Sequence, residues 1–66
     1  MNVEINGEPR EVSGGTTVTA LLIALNLPVD GVAVAINLDV VPRGQHADRV
    51  LVAGDRIEII RAVGGG

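Results

Sequence analysis

The sequence predicts an α+β domain in which one helix covers a face of a mixed sheet, and three observations carry that prediction. Asn2 to Asn6 alternates polar and apolar residues up to the turn pair Asn6-Gly7. Val18, Leu21, Leu22 and Leu25 then follow at the i, i+3, i+4, i+7 spacing of one helical face. Finally, Val32 to Asn37 and Arg56 to Ala62 return to alternation, so strand periodicity flanks a single stretch of helical periodicity.

The first strand places Val3 and Ile5 on one face, and Asn6-Gly7 readily adopts the two positive φ angles of a tight hairpin turn. The returning strand spans Pro9 to Val12, and the missing N–H of Pro9 confines it to a sheet edge or a strand start. Ser13-Gly14-Gly15 breaks the pattern. Thr16 or Thr17 offers a hydroxyl to the free amides at the start of a helix over residues 17–26. That helix ends at Asn26-Leu27-Pro28, because Pro28 drives Leu27 out of helical angles and Asn26 tolerates a left-handed C-terminal position.

Asp30-Gly31 is a turn, after which Val32, Val34 and Ile36 share one strand face and Ala33, Ala35 and Asn37 the other. Val40-Val41-Pro42-Arg43 reads as a short extended piece ended by proline, Gly44 to Arg49 as a polar loop, and Val50-Leu51-Val52 is too short to assign by period. Ala53-Gly54-Asp55 turns into the last strand, which directs Ile57 and Ile59 inward and Arg56, Glu58 and Ile60 outward.

Hairpin, helix, strand, short extended pieces and final strand is the element order of a β-grasp, or ubiquitin-like, domain. In that arrangement the first and last strands lie side by side and parallel at the sheet centre. Val3, Ile5, Ile57 and Ile59 would then meet Leu21, Leu22 and Leu25 in an all-aliphatic core. The expectation is one β-grasp domain over residues 1–62 and a flexible Gly-Gly-Gly tail over 63–66. With 66 residues there is room for one core, burying about 60% of the surface that the unfolded chain exposes.

Composition narrows function mainly by exclusion. Cysteine is absent, which removes disulfides, thiolate nucleophiles, persulfide side chains and zinc–thiolate clusters. Aromatic residues are absent too, and the net charge is -3, so neither base stacking nor a basic face for phosphates is available and no nucleic-acid partner is expected. All five basic residues are arginines, leaving no lysine amine for Schiff-base chemistry. The hydrophobic fraction is 47%, yet no run approaches the ~18 apolar residues of a membrane span, and the N-terminus lacks the pattern of a signal peptide. A cytoplasmic protein with some apolar surface left for a partner is expected, not a membrane protein.

Few side chains suggest a reaction. Ser13-Gly14-Gly15-Thr16-Thr17 precedes a helix but lacks the spacing and the lysine of a phosphate-binding loop. His46 is the only histidine and reads as a solvated loop residue. The acids Glu4, Glu8, Glu11, Asp30, Asp39, Asp48, Asp55 and Glu58 are scattered without catalytic or metal-binding spacing. No catalytic residue and no metal ligand is assigned. Two features remain. Gly64-Gly65-Gly66 presents a carboxylate on unbranched backbone that a narrow active site can close around. Ile60 and Ala62, beside Ala33 and Ala35 on a neighbouring strand, would form a flat apolar docking patch at the root of that tail.

With the β-grasp order and the glycine tail together, the chain resembles the bacterial sulfur carrier proteins of the ThiS family. The resemblance runs the whole length, through the Met1 to Gly7 opening, Val32-Ala33-Val34-Ala35-Ile36-Asn37, Val41-Pro42-Arg43 and Gly54-Asp55-Arg56 to the terminal glycines. Gly64 is a mild departure, since the family commonly ends in two glycines. The resemblance implies a carrier rather than an enzyme, with no bound cofactor. An E1-like, ThiF-like enzyme would use ATP to adenylate the Gly66 carboxylate. A cysteine desulfurase or sulfurtransferase would supply the sulfur that turns it into a thiocarboxylate, and a ThiG-like thiazole synthase would take that sulfur for thiamine. In this scheme Gly64 and Gly65 form the reaching tail, while Ile60, Ala62, Ala33 and Ala35 dock the body. Molybdopterin synthesis or tRNA thiolation would use the same chemistry, and a ubiquitin-like tag would instead join Gly66 to a target lysine.

Overall fold

The computed structural model describes residues 1–61, which form a five-stranded sheet with one helix on one face. The strands are β1 (Asn2–Ile5), β2 (Glu8–Glu11), β3 (Val32–Ile36), β4 (Asp39–Val41) and β5 (Arg56–Arg61), and the helix is α1 (Val18–Ala24). Strand order is β2-β1-β5-β3-β4, with β1 and β5 parallel and every other pair antiparallel. The first and last strands therefore meet inside the sheet, as the β-grasp reading requires.

Local chemistry explains most boundaries. Asn6 and Gly7 have φ values of 49° and 85°, the pair of positive angles that folds β2 back with Ile5 opposite Glu8. The returning strand begins one residue earlier than the sequence suggests, and Pro9 sits on the outermost strand, where no further neighbour needs its N–H. Thr17 is the N-cap: its Oγ1 accepts from the amide of Ala20 at 3.1 Å. At the other end Asn26 has φ 58°, and the amides of Asn26 and Leu27 donate to the carbonyls of Ile23 and Leu22 at 3.0 and 2.9 Å. This Schellman closure satisfies the last carbonyls and stops α1 at Ala24, inside the expected 17–26 span.

The core lies between α1 and the facing side of the sheet. Val18, Leu21 and Leu22 of the helix meet Val3, Val34, Ile36, Val41 and Ile57 of the strands, with Leu51 between them. Fully burying each such side chain contributes about 1.5–3 kcal/mol. Ile5, Leu25 and Ile59, expected at the core centre, are half-buried and pack against its margin. Leu51 enters because its amide donates to the Thr16 carbonyl at 2.8 Å, alongside a bridge between Thr17 and Val50. That pairing anchors the segment before β5 to the helix N-terminus, an interaction across more than thirty positions that no local pattern announces.

Three sequence expectations need correction. Val40-Val41 is half of a hairpin with β3, whose turn Asn37-Leu38 carries φ values of 52° and 71°. His46 is not solvated: it is 2% exposed, and its Nε2 donates to the carbonyl of Val41 at 3.0 Å, pinning the short 3-10 turn Arg43–Gln45 against β4. Asp55 is not one more scattered acid, being equally buried. One of its oxygens accepts from the amide of Val52 at 2.9 Å and the other from Asn37 Nδ2 at 3.0 Å, with Arg49 at 3.6 Å. Asp55 thus ties the β3–β4 turn to the start of β5, a structural task.

Candidate docking face and the end of β5

β5 positions the candidate site because its two sides serve different purposes. Ile57 and Ile59 point to the helix, while Arg56, Glu58 and Ile60 project from the face that α1 leaves uncovered. On that face Ala33 stands opposite Ile60, and Ala35 stands opposite Glu58 on one side and Val40 on the other. Directly opposed residues in antiparallel strands carry their side chains on the same side. Ile60 and Val40 are 64% and 75% exposed, with only alanines between them, so the surface is apolar and low in relief. Uncovered aliphatic surface of this kind is what a protein partner can bury.

Two asparagine amides hold β5 in register. Where β1 ends, the Asn6 side chain takes the place of a strand residue: its Oδ1 accepts from the Ile59 amide at 2.9 Å and its Nδ2 donates to the Ile59 carbonyl at 3.3 Å. On the opposite edge Asn37 Oδ1 accepts from the Arg56 amide at 3.0 Å, while the Asn37 amide donates to the Arg56 carbonyl at 2.8 Å. Both asparagines reach β5 because they occupy left-handed turn positions. Their effect is to fix where Ile60 sits relative to Ala33.

The structure therefore brings together Ile60 and Ala33 and places Ala35 one pair along, as the alternation of β3 and β5 predicts. The expectations for Ala62, Gly64, Gly65 and Gly66 concern residues outside the described range. Val40 belongs to the same face, although no local pattern marks it, because only the β3–β4 pairing brings it beside Ala35. The two bracketing asparagines were legible as turn residues but not as strand substitutes. Among the described residues no group of three or more His, Cys, Asp or Glu side chains gathers to hold a metal. No helix there is long and apolar enough to cross a membrane. The face offers shape and apolar area, with Glu58 and the exposed Arg56–Glu4 pair, 4.0 Å apart, at its edge.

Comparison with known proteins extends this geometry. The family model described as ThiS family matches residues 3–66. The sulfur carrier protein ThiS of Escherichia coli is 35% identical over 66 residues, covering 100% of both chains. The crystal structure of a thiamine biosynthesis protein (ThiS) from Geobacter metallireducens superposes with a TM-score of 0.86 at 33% identity, again covering 100% of each. A thiazole synthase of Magnetococcus marinus is 41% identical over the whole chain, which spans only 20% of that relative's length.

Proposed function

The chain belongs to the ThiS family, the sulfur carriers of thiamine biosynthesis, and from that membership we propose that it holds sulfur as a thiocarboxylate at Gly66 and yields it to thiazole formation. The observation that carries this reading is the extent of the family match, which includes both the β-grasp domain and the terminal glycines. The absence of cysteine supports it, since no side chain here can hold sulfur as a persulfide.

The chemistry follows from the properties of a carboxylate. It is a poor electrophile, so an E1-like enzyme first lets a Gly66 oxygen attack the α-phosphorus of ATP, expelling pyrophosphate and leaving an acyl-adenylate. Sulfide, or the terminal sulfur of a persulfide on a desulfurase or sulfurtransferase, then attacks the acyl carbon and expels AMP. In the persulfide case a second thiol breaks the remaining S–S bond and releases the thiocarboxylate. With no Cβ at Gly66, nothing hinders the approach to that carbon. The chain supplies the reacting carboxylate and a docking surface, with Ile60, Ala33 and Ala35 seating the body on the activating enzyme. ATP is bound by that enzyme and the carrier needs no cofactor. The thiazole synthase partner is supported by the Magnetococcus marinus relative, in which a region like this chain forms part of a protein of that name.

Intact-mass measurement after incubation with the activating enzyme, ATP and sulfide tests this directly. The mass should rise by the difference between sulfur and oxygen, and one residue appended after Gly66 should abolish the gain while leaving Tm unchanged. A modified extended protein would refute the terminal mechanism, and isopeptide-linked conjugates would favour a tag.

A further inference from the structure

On the side of β1, β5 is supported unequally along its length. Near its start β1 supplies backbone partners: the Glu4 amide donates to the Asp55 carbonyl and the Asn6 amide to the Ile57 carbonyl, each at 2.9 Å. β1 then ends at Ile5 and the chain turns away through Asn6-Gly7, whereas β5 continues to Arg61. Alternate residues of a strand address the same neighbour, so the next backbone groups of β5 on that side belong to Ile59. The Asn6 side chain meets both of them, Oδ1 accepting from the Ile59 amide at 2.9 Å and Nδ2 donating to the Ile59 carbonyl at 3.3 Å. A carboxamide carries the same donor and acceptor as a peptide group, so one side chain extends the ladder by a step that the backbone does not make. Beyond it, among the described residues, β3 alone pairs with β5, Ile60 opposite Ala33 and Arg61 opposite Val32.

The turn by itself does not call for an asparagine. Glycine takes the φ of 49° freely and ionised aspartate also tolerates it, but neither side chain carries a donor and an acceptor together. Asn37 offers the contrast. It too occupies a left-handed turn position, and its Oδ1 accepts from the Arg56 amide at 3.0 Å, but Arg56 is the first residue of β5. Its Nδ2 goes to Asp55 at 3.0 Å. One asparagine therefore fixes where β5 begins, and the other fixes it near its end. Only Asn6 bonds a residue close to Arg61, from which residues 62–66 lead to the carboxylate of Gly66.

We propose that Asn6 is a positioning residue for the reaction at Gly66, acting through β5 and touching no reacting group itself. The assignment rests on the carrier reading above, which supplies that reaction. The carboxylate is adenylated only when the activating enzyme holds it in line with the α-phosphorus, and a misplacement of about 1 Å can cost on the order of 100-fold in rate. Residues 62–66 span at most about 18 Å, so the point where the chain leaves β5 limits where the carboxylate can be brought. Without the Asn6 amide, Ile59 loses both partners on that side and the end of β5 depends on β3 alone. Backbone freed there has to be ordered again whenever the carboxylate is seated, at a cost in conformational entropy. Docking of the body draws also on Ala33 and Ala35 of β3, whose pairing with β4 is untouched, so affinity changes less than turnover.

The test compares Asn6→Gly with Asn37→Gly as substrates of the activating enzyme, with ATP and sulfide present and pyrophosphate release followed as carrier concentration varies. Glycine keeps both left-handed turn positions open and removes only the side-chain amide. Asn6→Gly should lower kcat about tenfold while KM for the carrier stays within about twofold. Asn37→Gly should lose at least as much Tm, because it also frees Asp55, yet keep kcat within about twofold of wild type. Asn6→Asp, which sets a carboxylate against the Ile59 carbonyl, should lower kcat as well and carries the test if Asn6→Gly does not fold. Wild-type kcat in the Asn6 variants would overturn the assignment, as would a rise in KM alone or an equal fall in kcat for Asn37→Gly. If the wild-type chain gains sulfur normally and the Asn6 variants match it, this assignment alone falls. If the wild-type chain gains no sulfur, the carrier reading falls and takes the assignment with it.

Discussion

The two faces of the sheet are made from the same strands and do opposite work. Toward α1, Val3, Val34, Ile36 and Ile57 are buried together with Leu21 and Leu22. Away from it, Ala33, Ala35, Val40 and Ile60 form an aliphatic surface that no described element covers. Hydrophobicity alone does not separate these sets, since β3 is apolar at every position from Val32 to Ile36. Size separates them: the inward residues are Val and Ile, and on β3 the outward ones are Ala. Large aliphatics fill volume against the helix, whereas small ones leave a level surface that a partner can approach.

The largest effect should come from the covered face. Leu22→Ala removes a fully buried side chain and should cost about 2–5 kcal/mol, a large share of the roughly 3–10 kcal/mol that a domain of this size holds. Chemical denaturation measures it, and a loss under about 1 kcal/mol would mean that the helix does not carry the core as described. Next comes the tie between the β3–β4 turn and the start of β5. Asp55→Ala strands the amide of Val52 and the side chain of Asn37, which should cost about 2 kcal/mol. It should also speed hydrogen exchange at Val52, and unchanged exchange there would contradict the hub assigned to Asp55. The smallest stability effect belongs to the uncovered face. Ile60→Asp, on a side chain that is already exposed, should cost no more than about 1 kcal/mol yet markedly weaken binding to the activating enzyme. An unchanged dissociation constant would separate this face from docking altogether.

Most of the fold was legible because short-range chemistry decided it. Asn6-Gly7 turns, Thr17 caps and Asn26 stops the helix through interactions within a few residues, and the alternation of β5 assigns Ile57 and Ile60 to opposite faces. The second hairpin was hidden for a matching reason. Leucine at position 38 removes the glycine signal that marks such a turn, so by pattern alone Val40 belongs to a lone extended piece and nothing local sets it beside Ala35. His46 and Asp55 escape sequence reasoning because a polar residue in a polar stretch of sequence reads as solvated, whereas both are buried. Burial of each depends on partners elsewhere in the chain, Thr19 for one, whose amide donates to the His46 carbonyl, and Asn37 for the other.

By itself, then, the sequence determined the element types, the turn at Asn6-Gly7, the inward and outward alternation of the strands and, through its terminal glycines and lack of cysteine, the kind of chemistry to consider. Those properties live in backbone preferences and spacing, which act over a few residues. Tertiary structure decided which strands became neighbours, and with that the Ile60–Ala33 pair, the burial of Leu51, His46 and Asp55, and the reach of Asn6 to Ile59. Each of these needs residues distant in sequence to be brought together, and the packing of α1 against the sheet provides the free energy that holds them there.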